Sequence, residues 1–180
     1  MIRPLACLIL AASLPAGAQV PSPYAGQEAR DIKALSSQEV ADYLAGRGAG
    51  LAKAAELNGY PGPAHVLELA AQLKLDADQK AKTEALFEKM HGRAVALGKD
   101  LVEEERALDR LFATHAMTPD ALERSLARIA RLQGRIREAH LEAHLEQVSL
   151  LSRQQVAEYA RLRGYESAAP GGAHDTGHHH

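Results

Sequence analysis

The chain has 180 residues, with 21 Lys or Arg against 23 Asp or Glu, a formal net charge of −2, 4% aromatic residues and no Trp. This balance gives no general attraction to nucleic acid, and so few aromatic rings disfavour a base-stacking surface. Cys7 is the only cysteine. The rest of the sequence therefore excludes disulfides, thiolate metal ligands and a cysteine nucleophile.

Residues 1–18 have the organisation of a secretory signal. Arg3 precedes an apolar run over residues 5–14, and Ala16-Gly17-Ala18 matches a signal-peptidase site. The apolar run is shorter than the roughly 20 residues that a membrane-spanning helix needs. An uncleaved N-terminal anchor is the alternative. We predict cleavage near Ala18 and a periplasmic location.

Proline and glycine divide the next part of the chain into short segments. Residues 19–34 should form a flexible lead-in, because prolines and a glycine interrupt them. Ser36 and Glu39 then form a capping box that begins a short helix. The glycines at 46–50 end this helix; a phosphate-binding loop is disfavoured, since no strand precedes them and no Lys-Ser or Lys-Thr pair follows. Further short helices are predicted over residues 51–57 and 64–73.

Two long helices are predicted over about residues 76–114 and 118–150. Thr118 is expected to cap the second helix, with Pro119 as its first residue. Apolar residues recur in this helix every seven positions, at Leu122, Ile129, Ile136, Ala143 and Leu150. The other row of the same seam is predicted at Leu126, Gln133, His140 and Gln147. The first helix shows the same spacing of three and four in Phe87, Met90, Ala94, Leu97, Leu101, Glu104, Leu108 and Leu111.

A seven-residue repeat keeps one narrow stripe of each helix facing its partner, so the two helices should pack lengthwise with a shallow crossing angle. At 1.5 Å per residue each helix would be about 50–60 Å long. A last helix is expected from Ser152 to about Arg163. We predict an all-α fold over residues 35–165, a long antiparallel helical hairpin with short flanking helices of the four-helix cradle type. Residues 166–180 are predicted to be a disordered His-rich tail.

The segments that begin the capped helices resemble a known motif. Leu75-Asp76-Ala77-Asp78-Gln79 and Leu151-Ser152-Arg153-Gln154-Gln155 are similar to the two LTxxQ motifs of the Spy/CpxP family of periplasmic helical-hairpin proteins. Asp76 and Ser152 replace the motif threonine and can accept the same N-cap hydrogen bond. The resemblance covers roughly residues 63–165. It implies an all-α cradle, usually dimeric, that holds unfolded clients or senses envelope stress or metal, as in ZraP-like and CnrX-like members.

Histidines of the second long helix form a candidate metal site. His140 and His144 are four residues apart, so both rings lie on one face and can ligate one ion. The alternative is a pair of helix histidines without a ligand; the resemblance favours metal, because metal-binding members place a His-x-x-x-His or His-x-x-x-Met pair late in this helix. His65 and Glu68 are the further candidate ligands, since they share one face of an early helix.

A site of this composition, rich in nitrogen and without thiolates, would favour Zn, Ni, Co or Cu(II), and no metal is expected to be required for folding. Histidines of the tail could bind such ions weakly or could be a cloning remnant: His174, His178, His179 and His180. No H-E-x-x-H sequence is present, so a metalloprotease is not supported. His91 and His115 have no partner at ligand spacing and are predicted to lie on the surface.

Four arginines form a basic stripe on the second long helix, at Arg124, Arg128, Arg131 and Arg135. One interpretation is a solvated face, partly paired with the acidic residues 103–105 of the other long helix. The other is a client-binding face, on which Arg stems provide apolar area and guanidinium groups attract acidic segments.

No Ser/His/Asp set, paired-carboxylate pocket or nucleotide loop is recognisable, so we predict a non-enzyme. The leading hypothesis is a periplasmic ATP-independent chaperone or envelope-stress adaptor of the Spy/CpxP type, acting as a homodimer. Its partners would be unfolded or stressed envelope proteins, or a membrane signalling protein, and not nucleic acid. The alternative is a periplasmic heavy-metal sensor or metal buffer that uses the helix histidines.

Overall fold

A computed structural model describes residues 22–165 and contains no strand in that range. Its helices are α1 Ser37–Leu44, α2 Lys53–Glu56, α3 Pro63–Glu68, α4 Ala77–Ala113, α5 Pro119–Leu150 and α6 Arg153–Leu162. The two long helices α4 and α5 pack along each other, and the short helices α1, α2 and α3 pack onto them. The predicted all-α helical hairpin with short flanking helices is confirmed.

Side-chain caps begin the helices at the positions that the sequence indicates. Asp76 accepts a hydrogen bond from the backbone N–H of Gln79 at 2.7 Å and caps α4. Thr118 caps α5 in the same way, with Pro119 as its first residue. The third helix is shorter than predicted, because residues 69–74 form turns instead of continuing α3. These turns place Leu73 in an apolar cluster with Val66 and Tyr159.

The first row of the α5 seam lies where predicted, but part of the second row does not. Ile129 and Ile136 are buried against Leu97 and Leu101 of α4. Leu126 is 49% exposed and Gln133 is also exposed, so their predicted place in the seam is wrong. The row instead contains Ser125, Leu132 and Ala139. A straight α-helix rotates by about 20° per heptad relative to a repeat of 3.5 residues per turn. The second predicted row therefore reaches the interface with α4 only later in α5, where His140 and Gln147 are buried.

Two glutamine side chains close the open end of the hairpin, where α4 begins and α5 ends. Gln79 and Gln155 donate to each other's side-chain oxygens, each at 2.9 Å. Gln79 also donates to the Leu150 carbonyl at 2.9 Å, and Gln155 donates to the Leu73 carbonyl at 3.2 Å. The two glutamines are the last residues of the two motif-like segments. Besides completing the helix caps, they join the start of α4 to the start of α6.

The end of the predicted lead-in packs against α4 near the turn end of the hairpin, where α4 is joined to α5. Ile32 is only 2% exposed. The Lys33 backbone N–H and side-chain amine both donate to the Asp109 carboxylate at 3.1 Å. Asp31 forms an ion pair with Arg106 at 3.1 Å. The structure therefore holds residues 31–33 on α4, where the sequence predicted a flexible segment.

The predicted signal peptide over residues 1–18 and the His-rich tail over residues 166–180 lie outside the described residues. Within residues 22–165, no helix combines the length and the apolar character that crossing a bilayer would require.

Helix α1 crosses α4 so closely that position 98 leaves no room for a side chain. A Cβ atom on Gly98 would lie 2.0 Å from the Tyr43 carbonyl oxygen. We expect Gly98→Ala to lower the free energy of unfolding by about 1–3 kcal/mol, because α1 must move away from α4. Denaturant unfolding measures the loss, and faster amide exchange over residues 37–44 would locate it in α1.

Gly92 is the matched control on the same helix, because a Cβ atom there would meet no other atom within 4 Å. Gly92→Ala is expected to raise the free energy of unfolding by roughly 0.5–1 kcal/mol, the usual gain in an exposed helix interior. Equal effects of the two substitutions would contradict the close crossing of α1 and α4.

Candidate functional site

The loop between α1 and α2, together with α2 and α3, covers part of the hairpin and leaves a cavity of about 660 Å³. Its apolar walls include Leu57, Pro63, Phe87 and Met90. The rings of Phe87 and His91 stack in parallel, with centroids 5.5 Å apart. The remaining polar lining includes one buried carboxylate and three further histidines, at Glu56, His65, His140 and His144.

Glu56 joins three parts of the chain beside the cavity. Its side chain is 11% exposed, and its Oε1 atom accepts hydrogen bonds from the hydroxyls of Tyr159 and, at 3.0 Å, Tyr165. Arg163 Nε lies 3.6 Å from the same oxygen. Burial, followed by the hydrogen bond to Glu56, raises the pKa of the Tyr159 hydroxyl, which therefore stays a donor at neutral pH. Glu56 thus holds α6 and the residues after it against α2.

Two histidines lie near the Glu56 carboxylate without hydrogen bonding to it. His144 Nδ1 lies 3.7 Å from Oε2, and His65 Nδ1 lies 3.6 Å from Oε1. His144 Nδ1 lies closer to the Tyr60 carbonyl, at 2.7 Å, which assigns the proton of a neutral ring to Nδ1. A Cβ atom on Gly62 would lie 2.9 Å from His144 Nε2. Any other residue at position 62 would therefore crowd the His144 ring on the side of its Nε2 atom.

His140 is the most completely buried histidine of the cavity, at 6% exposure. Neither of its ring nitrogens makes a hydrogen bond within the described residues, and its Nε2 is fully buried. Burial, followed by the nearby rings of His144 and His91, lowers its pKa. His140 is therefore neutral at pH 7 and keeps one unused donor and one unused acceptor.

The structure brings together three of the predicted metal ligands and leaves out the fourth. His65, His140 and His144 all line the cavity. Glu68 is exposed and lies outside the lining, because it falls at the last residue of α3. Glu56, which the sequence did not indicate, provides the carboxylate instead. Within residues 22–165, no three His, Cys, Asp or Glu side chains are arranged as a metal-binding group, and the tail histidines lie outside that range.

The sequence predicts a surface position for two other histidines, His91 and His115. His91 is half-buried, lines the cavity, and has its Nε2 3.1 Å from the Ala45 carbonyl oxygen, so this prediction was wrong. The reason is that α1 ends above this part of α4 and its last turn covers the ring. His115 is exposed at the turn between α4 and α5, as predicted.

The predicted arginine stripe is exposed along the first half of α5. Arg128 forms an ion pair with Glu104 at 3.0 Å. The other three arginines, Arg124, Arg131 and Arg135, are exposed and have no ion-pair or hydrogen-bond partner within the described residues. Glu105, one of the acidic residues expected to pair with the stripe, is instead buried, and burial raises the pKa of its carboxyl group.

Apolar side chains are also exposed along this part of α5. Leu126 is 49% exposed, and Ala127 and Ala130 are also exposed. Arginine stems add further apolar area to such a surface while their charged ends stay hydrated.

Comparison of the chain with protein-family models, curated proteins and solved structures finds no match in any of the three.

Proposed function

We propose that this protein is an exported, ATP-independent chaperone or envelope-stress adaptor of the Spy/CpxP type. It would hold partly unfolded chains on the exposed face of α5 defined by Arg124, Arg128, Arg131 and Arg135, with Ala127 beside them. The observation that supports this proposal is the uncovered arginine stripe itself, in which Arg124, Arg131 and Arg135 have no ion-pair partner among residues 22–165.

The chemistry of this face suits a client that has not yet buried its core. Unfolded segments present apolar side chains and carboxylates together, and Ala127 and the arginine stems offer shallow apolar contacts beside unpaired guanidinium groups. A shallow helix face holds such segments weakly and allows release without ATP. We further propose that the working form is a homodimer, and that stressed envelope proteins or a membrane signalling protein are the partners.

Removing the unpaired charges should weaken client holding without unfolding the hairpin. We expect substoichiometric or equimolar protein to slow the aggregation of an unrelated unfolded protein without ATP, measured by light scattering. The variant Arg124→Ser, Arg131→Ser, Arg135→Ser should protect several-fold less well, because it loses both charge and stem area. Circular dichroism should show unchanged helicity, since these side chains are exposed and make no contacts that hold the fold.

The matched control removes the same number of positive charges from exposed positions of α4. Lys82, Lys89 and Lys99 are suitable, since all three are exposed and the first two form only surface ion pairs. Replacing these three lysines by serine should leave protection unchanged. Protection by the arginine variant equal to that of the parent would show that the stripe is only a solvated face.

A second candidate function, a metal sensor or metal buffer, is supported by a different observation. His65, His140 and His144 lie around one cavity with Glu56. Their nitrogens and one carboxylate oxygen suit Zn, Ni, Co or Cu(II), provided that small side-chain movements bring them onto a common ion.

Metal binding at these histidines should be measurable in a chain ending at Tyr165, which removes the tail histidines. We expect calorimetric titration with Zn or Ni to show binding that His140→Ala and His144→Ala each largely remove, whereas His115→Ala, at the exposed turn, does not. Affinity should fall in acid, because an imidazole must be neutral to bind a metal ion. Burial lowers the pKa of His140, so this ring stays neutral to lower pH than a solvated imidazole does. Binding no tighter than about millimolar, or equal binding by all three variants, would rule out this site.

A further inference from the structure

The cavity beneath α2 and α3 is large and apolar enough to enclose an organic molecule. Its volume of about 660 Å³ falls within the range of about 300–1,000 Å³ that is typical of small-molecule sites. The stacked rings of Phe87 and His91 and the side chain of Met90 provide flat, polarisable walls. Such walls pack well against an aromatic ring.

Two buried polar groups of the same cavity lack the hydrogen bonds that they need. Glu56 Oε2 is buried and has no hydrogen-bond partner among the described residues, although Oε1 of the same carboxylate has two. His140 is similarly unpartnered at 6% exposure. Its Cε1 and Nδ1 atoms lie 3.5 Å from the point where a Cβ of Gly48 would be. Burying a polar group without a partner is destabilising, so native proteins usually satisfy such groups.

We propose that this cavity is a binding site for a small aromatic amine. The ring system would occupy the apolar part beside Phe87 and Met90. The amine N–H would donate to Glu56 Oε2, and the neutral imidazole of His140 would provide a second polar contact. This site goes beyond client holding on α5, because its residues lie elsewhere in the chain from the arginine stripe.

The Glu56 carboxylate determines which class of ligand the cavity can bind. An ionised Glu56 accepts hydrogen bonds only, so the group placed against Oε2 must be a donor, and a ligand carboxylate would be repelled there. Arg47 and Lys53 also line the cavity, but both are exposed, and Arg47 already forms an ion pair with Asp42 at 2.8 Å. Their charges are therefore at the hydrated mouth, where they contribute little to selecting the buried group.

Ligand binding can be tested on the whole chain with the fluorescent probe N-phenyl-1-naphthylamine, in buffer containing EDTA so that metal plays no part. We expect saturable fluorescence enhancement with one probe per chain. Competitors that share a naphthalene ring then identify the polar contact. 1-Naphthylmethylamine should displace the probe at about tenfold lower concentration than 1-methylnaphthalene, because of its charge-assisted hydrogen bond. 1-Naphthylacetate should be the weakest competitor.

Two substitutions locate the probe and its polar contact. Ala64→Leu fills part of the cavity and should weaken probe binding at least tenfold, whereas Ala54→Leu, on an exposed position of α2 outside the lining, should not. Glu56→Gln keeps an amide oxygen for the tyrosines but replaces the second acceptor with a donor. It should remove the preference for the amine over 1-methylnaphthalene while probe binding persists.

Three results would overturn the assignment. The first is the absence of saturable probe binding. The second is tightest competition by 1-naphthylacetate, which would indicate an anion site at Arg47 and Lys53. The third is an unchanged preference for the amine in Glu56→Gln, which would place the probe away from the carboxylate.

Discussion

Replacing Ile136 by alanine is expected to lower the free energy of unfolding by about 2–5 kcal/mol. The side chain is 2% exposed and belongs to the cluster that Leu97, Leu101 and Ile129 form between α4 and α5. Truncation removes apolar contacts on both long helices and leaves a cavity that their backbones cannot fill. Equilibrium unfolding in urea, followed by circular dichroism, measures the change.

Leu145 provides the control on the same helix, because its side chain is 58% exposed. Leu145→Ala should change the free energy of unfolding by no more than about 0.5 kcal/mol, as surface substitutions usually do. If Ile136→Ala had an equally small effect, the α4–α5 interface would have to lie on a different face of α5.

Replacing Glu56 by alanine is expected to cost roughly 2–4 kcal/mol, since two hydroxyl groups lose a charged acceptor. Tyr159 is 2% exposed, and its hydroxyl has no other acceptor within the described residues. The loss should appear first as detachment of α6, so amides of residues 153–162 should exchange faster than those of α4. Thermal unfolding and hydrogen exchange together measure both effects.

Glu56→Gln separates the hydrogen bonds from the charge. Its amide oxygen can still accept from Tyr159 and Tyr165, so most of the stability should be retained, with a loss of about 1 kcal/mol for the weaker neutral acceptor. A loss as large as that of the alanine variant would assign the stabilisation to the charge beside Arg163. No loss in either variant would contradict the role of Glu56 in holding α6.

The long helices and their starts could be predicted because the signals are local. Asp76, Thr118 and Ser152 each satisfy a backbone N–H three residues away, so the sequence alone indicates where the helices begin. The apolar repeat similarly locates Ile129 and Ile136. The same repeat placed Leu126 and Gln133 in the seam wrongly. A fixed alternation of four and three residues ignores the slow rotation of the interface stripe around a straight α-helix.

The cavity could be predicted only in part, because its residues come from segments far apart in sequence. The spacing of His140 and His144 indicates a shared face, and both side chains do lie on one cavity. Glu56 and its partner Tyr159 are separated by 103 residues, and nothing local distinguishes Glu56 from an exposed helix glutamate. The pairing of Gln79 with Gln155 was missed for the same reason, since each had been interpreted only as part of its own helix cap.

The attachment of residues 31–33 near Asp109 places the two ends of the described chain at opposite ends of the hairpin. Tyr165 packs against the cluster of Val66, Leu73 and Tyr159 at the open end of the hairpin, whereas Lys33 is held near the turn end. The rise of α4 separates these two places by about 50 Å. Two partners, one attached at residues 31–33 and the other at Tyr165, would therefore be held apart by the length of the α4–α5 hairpin. The hairpin can act as a spacer whose length is set by α4.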